Sequence, residues 1–282
     1  MRSRPPGMKS NTCFLNTKRS APRQKTDLME WTWLLKLILA HLLTDFVLQP
    51  KSWIVARTTR HFAAPQLYIH GLVTALLAGL FIGFDPWWVA PLVLLTHTLI
   101  DGLKSYRPPT IGWFLADQAA HVLVLVACWF AVWNYKGSLL PDFDLLFTPK
   151  YLLLTIAFVL VTKPMGIFIG QFTARWRARL TMEVVPAKNT EDPFAAKSVS
   201  DDSLATAGSW IGMAERVIIL ILVLKGQYEA FGLLIAAKSI IRFSDSQRTE
   251  AKTEYLLIGT LTSVLLALGV GLITLYLLRK LA

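Results

Sequence analysis

WTWLLKLILAHLLTDFVLQ, residues 31–49, is apolar along most of its length, yet it holds His41 and Asp45 four residues apart. The run is long enough to cross a bilayer as a helix. It does not alternate residue by residue, as a strand of a transmembrane barrel would. Similar blocks recur along the chain. Of the 282 residues, 54% are hydrophobic and 17% charged, and the mean hydropathy is +0.48. Soluble domains carry about a quarter charged residues. The reading is an all-α, polytopic helical membrane protein with about eight transmembrane helices. The expected spans are 31–49, 69–84, 86–103, 113–133, 151–172, 209–224, 227–243 and 254–278.

The breaks between spans have physical causes. Pro86 and the pair Trp87–Trp88 mark an interfacial turn, and Lys163–Pro164 predicts a kink in the fifth span. Residues 1–28 hold seven Lys/Arg against one Asp and no apolar period, so they read as a disordered basic tail, with Met29 as a natural start. The domain reading is that tail, a four-helix membrane domain over 29–133, a fifth helix with a cytoplasmic loop over 134–208, and a C-terminal helical membrane domain over 209–282. Within the third unit, 173–208 reads as a surface loop or short interfacial helix.

Lys and Arg gather in the connections 51–68, 104–112, 173–208 and 242–252. With eight spans these fall on one side, which the positive-inside bias makes cytoplasmic. The net charge of +11 is therefore assigned to anionic lipid as the partner, not to nucleic acid. Cys13 and Cys128 are too far apart in sequence and context to suggest a disulfide or a zinc ribbon.

All five histidines precede residue 122. His41 and Asp45, His97 and Asp101, and Asp117 and His121 each lie four apart, and on a helix such residues share a face. His70 adds a fourth imidazole, and His61 reads as an exposed loop histidine. One such pair does no more than satisfy a buried histidine. Three pairs, each at a cost of several kcal/mol in hydrocarbon, point to a shared interior site. Imidazole and carboxylate are ligands for zinc, iron or manganese. His41, His70, His97 and His121 are the candidate metal ligands, and Asp45, Asp101 and Asp117 the candidate catalytic carboxylates. Gln49, Lys104 and Gln118 flank the pairs and are candidate substrate contacts. The same groups would equally serve proton or cation coupling.

The segments HLLTDFVLQPKSW, HG at 70–71, HTLID with Lys104, and FLADQAAH at 114–121 together resemble the bacterial integral-membrane family called domain of unknown function 3307. The resemblance covers about residues 31–133, and 208–243 also looks like the C-terminal half of longer members. It implies a multi-pass protein of the bacterial inner membrane and brings no settled activity. In the second half, Glu215 faces Lys238 or Arg242 as an expected structural ion pair. Gly208, Gly212, Gly226 and Gly232 are expected to allow close helix approach. The functional expectation is a metal-dependent intramembrane hydrolase with a lipid-like substrate, or else a coupled transporter or channel.

Overall fold

The computed structural model describes residues 21–133, 148–183, 199–243 and 250–281, and all regular structure among them is helical. Helix α1 (Ala21–Leu42) runs on into a π-helical turn, Leu43–Leu48. Next come α2 (Lys51–Arg60), a 3-10 turn at His61–Ala63, α3 (Pro65–Ile82), α4 (Val89–Lys104) and α5 (Ile111–Trp133). The second half holds α6 (Pro149–Val161), α7 (Lys163–Phe172), α8 (Ala174–Glu183), α9 (Val199–Leu224), α10 (Tyr228–Phe243) and α11 (Glu250–Leu281).

Among the described residues, six segments are long and apolar enough to cross a membrane: Trp31–Leu48, Pro65–Ile82, Ile111–Val132, Pro149–Phe172, Thr206–Leu224 and Thr253–Leu281. The other two expected spans form helices, but α4 and α10 have only 16 residues each. Six is therefore the number that stands on length and composition. Large apolar side chains such as Leu72, Leu80, Leu95, Leu123, Phe130 and Leu265 lie exposed on the outer surfaces. In water such a belt would drive association, and in lipid it is the solvated face.

Helices α1, α3, α4 and α5 close into a ring, each packing on the next and α5 returning to α1. One end of this bundle is an apolar plug made by Trp33, Leu37, Ala40, Ala75, Ala78, Ile82, Val89, Val93, Leu125, Cys128 and Val132. Gly71 brings α3 against α4, because a Cβ there would run into Thr98. Helix α3 stops at Gly83, which adopts φ +71°, a conformation glycine takes at little cost. Helices α6, α9 and α11 form a second packed group, joined to the first mainly where α6 meets α1.

The expected kink is a break. Thr162 leaves the helical region (φ −85°, ψ −114°) between α6 and α7, because Pro164 has no N–H for the helix ladder. Arg216 of α9 takes over, donating from Nε to the Val161 carbonyl at 2.6 Å and from Nη2 to the Thr162 carbonyl at 3.1 Å.

Several expectations need correction. Helix α1 already begins at Ala21, so no structural boundary falls between 28 and 29; residues 1–20 lie outside the described part. The 173–208 segment opens with α8, and α9 starts at Val199. His61 is half-buried in a helical turn, its Nδ1 2.9 Å from Ser105 Oγ and its ring stacked on Tyr106. Gly208 and Gly232 meet no neighbour that a Cβ would strike, and Gly226 serves a turn at φ +68°. Only Gly212 lies against another group, the Arg216 guanidinium of its own helix.

Candidate functional site

The His/Asp groups converge inside the first bundle. His41, His70, His97 and His121 are each 2–3% exposed. Asp45 Oδ1 lies 3.4 Å from both His70 Nε2 and His97 Nε2, and those two nitrogens are 3.0 Å apart. Asp101 Oδ2 stands 3.6 and 3.8 Å from the same nitrogens. His121 packs against His97 and His41, with ring centroids at 4.3 and 5.0 Å.

The site is layered, and chain direction explains the layering. Helices α1 and α4 run toward the end where α2 sits, while α5, entered through the short 105–110 connection, runs away from it. Histidine precedes aspartate on the first two and follows it on the third. The reversed order therefore keeps the carboxylates on one side of the imidazoles. On the carboxylate side, Asp45 and Asp101 reach a cavity of about 210 Å³. On the other side, His41, His97 and His121 border a void of about 10 Å³, room for about one water, below which the apolar plug begins.

Asp45 is aimed by the π-helical turn that contains it. Such turns insert an extra residue into a helix and recur at functional sites. Thr44 sustains this one, its hydroxyl donating to the carbonyls of Ala40 and His41 at 3.0 Å each. His41 and Asp45 remain near each other, 3.7 Å from Nδ1 to Oδ1.

Two cations hold the remaining carboxylates. Arg57, buried on α2, forms an ion pair with Asp101, and Lys104 forms one with Asp117 Oδ2, which also accepts from Gln118 Nε2 at 3.0 Å. Gln49, Lys104 and Gln118 all line the larger cavity. In sequence, Arg57 is one of the basic residues of the 51–68 connection. The available signal was its position four residues after Trp53 on an amphipathic segment, which puts both on one helix face. In the second half, Glu215 pairs with Lys238. The side chain of Arg242 lies outside the described residues.

Among the described residues, three sets of side chains have the composition and spacing to hold a cation: Asp45, His70 and His97; His41, Asp45 and His121; and Asp101, Asp117 and His121. In the first, edges of 3.0, 3.4 and 3.4 Å match the separation of about 3.0–3.4 Å expected between ligand atoms placed about 2.1 Å from one divalent ion.

Residues 33–148 match the model of a family described as Protein of unknown function (DUF3307). Over that stretch the chain is similar to DUF3307. Its limits enclose α3, α4 and α5, the π-helical turn and the site-bearing part of α1. The likeness read at 208–243 falls beyond the DUF3307 match. No curated protein and no solved structure matches the chain.

Proposed function

We propose that this DUF3307 protein is a metal-dependent hydrolase of the bacterial inner membrane, acting on a lipid-like substrate. The observation that carries the reading is the triangle of Asp45 Oδ1, His70 Nε2 and His97 Nε2, with edges of 3.4, 3.4 and 3.0 Å, next to a cavity that opens among polar side chains. Zinc, iron or manganese suits this donor set. A divalent ion would acidify a water and polarise an ester or phosphoester oxygen.

The chain's own residues would do the rest. Asp101, beside the triangle and held by Arg57, would take a proton from the attacking water. The water oxygen bonds to the ester carbon or phosphorus, and the alcohol departs with a proton. Gln49, Lys104 and Gln118 border the route in and would hold a polar headgroup, while the apolar chain stays in lipid. Trp113 and Phe114 line the same cavity and provide its apolar wall.

Elemental analysis of detergent-purified protein tests the proposal. A bound transition metal that disappears in His97→Ala is the expected result. Protein that is correctly folded and free of metal after purification without chelator and reloading with zinc, iron and manganese would overturn it.

A second reading, proton- or cation-coupled transport, draws support from the α6/α7 break, since interrupted helices line transport pathways and Ile167 and Gln171 of α7 border the cavity. Proton or cation flux in proteoliposomes, abolished by Asp45→Asn, would favour it over hydrolysis.

A further inference from the structure

The metal set that carries the proposed function leaves one side of Asp45 unused. There the imidazoles of His41 and His121 stack at 5.0 Å with 27° between ring planes, and with Asp45 they bring ligand atoms within 4.8 Å of one another. Both rings are 3% exposed, and the Nε2 atom of each is buried with no hydrogen-bond partner. A buried polar atom left unpaired costs about 1–3 kcal/mol in protein and more in hydrocarbon. Two such atoms, in side chains of adjacent helices that both line one small void, call for an occupant.

The tautomer of His121 says what kind. Its Nδ1 lies 2.9 Å from the Asp117 carbonyl oxygen, which can only accept, so Nδ1 carries the proton and Nε2 presents a lone pair. Metal-bound histidines are held in this way, donating from one ring nitrogen to a carbonyl and ligating through the other. Lys104 and Gln118 in turn hold Asp117 Oδ2, fixing the residue that orients His121. The void of about 10 Å³ beside His41, His97 and His121 leaves room for about one water on such an ion.

We infer that the bundle holds two divalent cations, the second bound by His41 and His121 and bridged to the first through Asp45. Each ion would take two imidazoles and one oxygen of the shared carboxylate: His70 and His97 for the first, His41 and His121 for the second. Asp101 and Asp117, which with His121 form another candidate set, would border the second ion while paired to Arg57 and Lys104. Paired ions about 3.5–4 Å apart are a recurrent arrangement in enzymes that cleave phosphoesters and amides. The inference rests on the hydrolase reading only for its first ion.

Metal stoichiometry and electron paramagnetic resonance of the manganese-loaded full chain in detergent test it. Two ions per chain are expected, with the multiline spectrum of an exchange-coupled pair. His121→Ala should retain one ion and give an uncoupled single-ion spectrum, as should His41→Ala. His70→Ala should lose the other ion, and Asp45→Asn should abolish the coupling. The ion retained in His121→Ala also shows that the variant has folded. One ion per chain in the parent protein, unaltered by His121→Ala and His41→Ala, would overturn the second site and leave the hydrolase reading standing. Absence of metal in the parent protein would overturn both.

Discussion

At the residue scale, the stakes are set by charges taken out of water. Arg57 and Asp101 are both nearly inaccessible, at 8% and 3% side-chain exposure. Removing one partner of a buried ion pair costs about 3–5 kcal/mol, because the other charge is stranded. Arg57→Met should therefore lower the thermal unfolding midpoint in detergent markedly, and adding Asp101→Asn should restore part of the loss. An unchanged midpoint for the single variant would mean that the pair is not buried as described. Lys104 is more exposed, at 28%, so it contributes less to stability and more to placing Asp117, and under the proposed function it would also hold the headgroup. Lys104→Met should leave folding nearly intact while weakening retention of an anionic lipid headgroup, read by lipid co-purification.

At the element scale, two departures from regular helix do the positioning. The π-helical turn at Leu43–Leu48 aims Asp45 between two pairs of imidazoles. Thr44→Val removes the hydroxyl that bonds to the Ala40 and His41 carbonyls, and it should reduce metal affinity by about tenfold or more, as support for ligand groups commonly does. Equal metal affinity in Thr44→Val would show that the turn holds without that support. The second departure is the α6/α7 break, where Arg216 bonds to the Val161 and Thr162 carbonyls. Hydrogen bonds to charged groups contribute about 1.5–3 kcal/mol each. Arg216→Met should therefore destabilise the chain by about 3 kcal/mol and leave any metal content unchanged, since the break lies outside the imidazole cluster.

At the scale of the whole molecule, the cavity opens where α2 and the 105–110 connection meet. Lys51, Arg57, Arg60 and Arg107 lie on these two, with Lys104 at the end of α4, and the positive-inside bias predicts a mouth that faces the cytoplasm. Cysteines introduced at Ser52 and Thr110, both exposed, should react with a membrane-impermeant maleimide only after the membrane is opened. One at the exposed Gln227, on the turn between α9 and α10, should react in intact spheroplasts. The reverse pattern would invert the orientation and place the site's mouth outside.

Much of this was legible in residue order. The apolar blocks dictate helices, and four-residue spacing dictates that His41 and Asp45, His97 and Asp101, and Asp117 and His121 share faces. Pro164 dictates an interruption, because a residue without an N–H cannot continue the ladder. These are local consequences of backbone geometry and solvent, and they need no partner to be read. The tertiary structure decided what periodicity cannot encode: which faces meet, how far a helix start precedes Met29, and that Arg57 returns from α2 to neutralise Asp101. It also decided that Asp45, one residue on one helix, lies 3.4 Å from imidazoles of two others, because a site shared among four helices exists only once packing has fixed their rotation and depth.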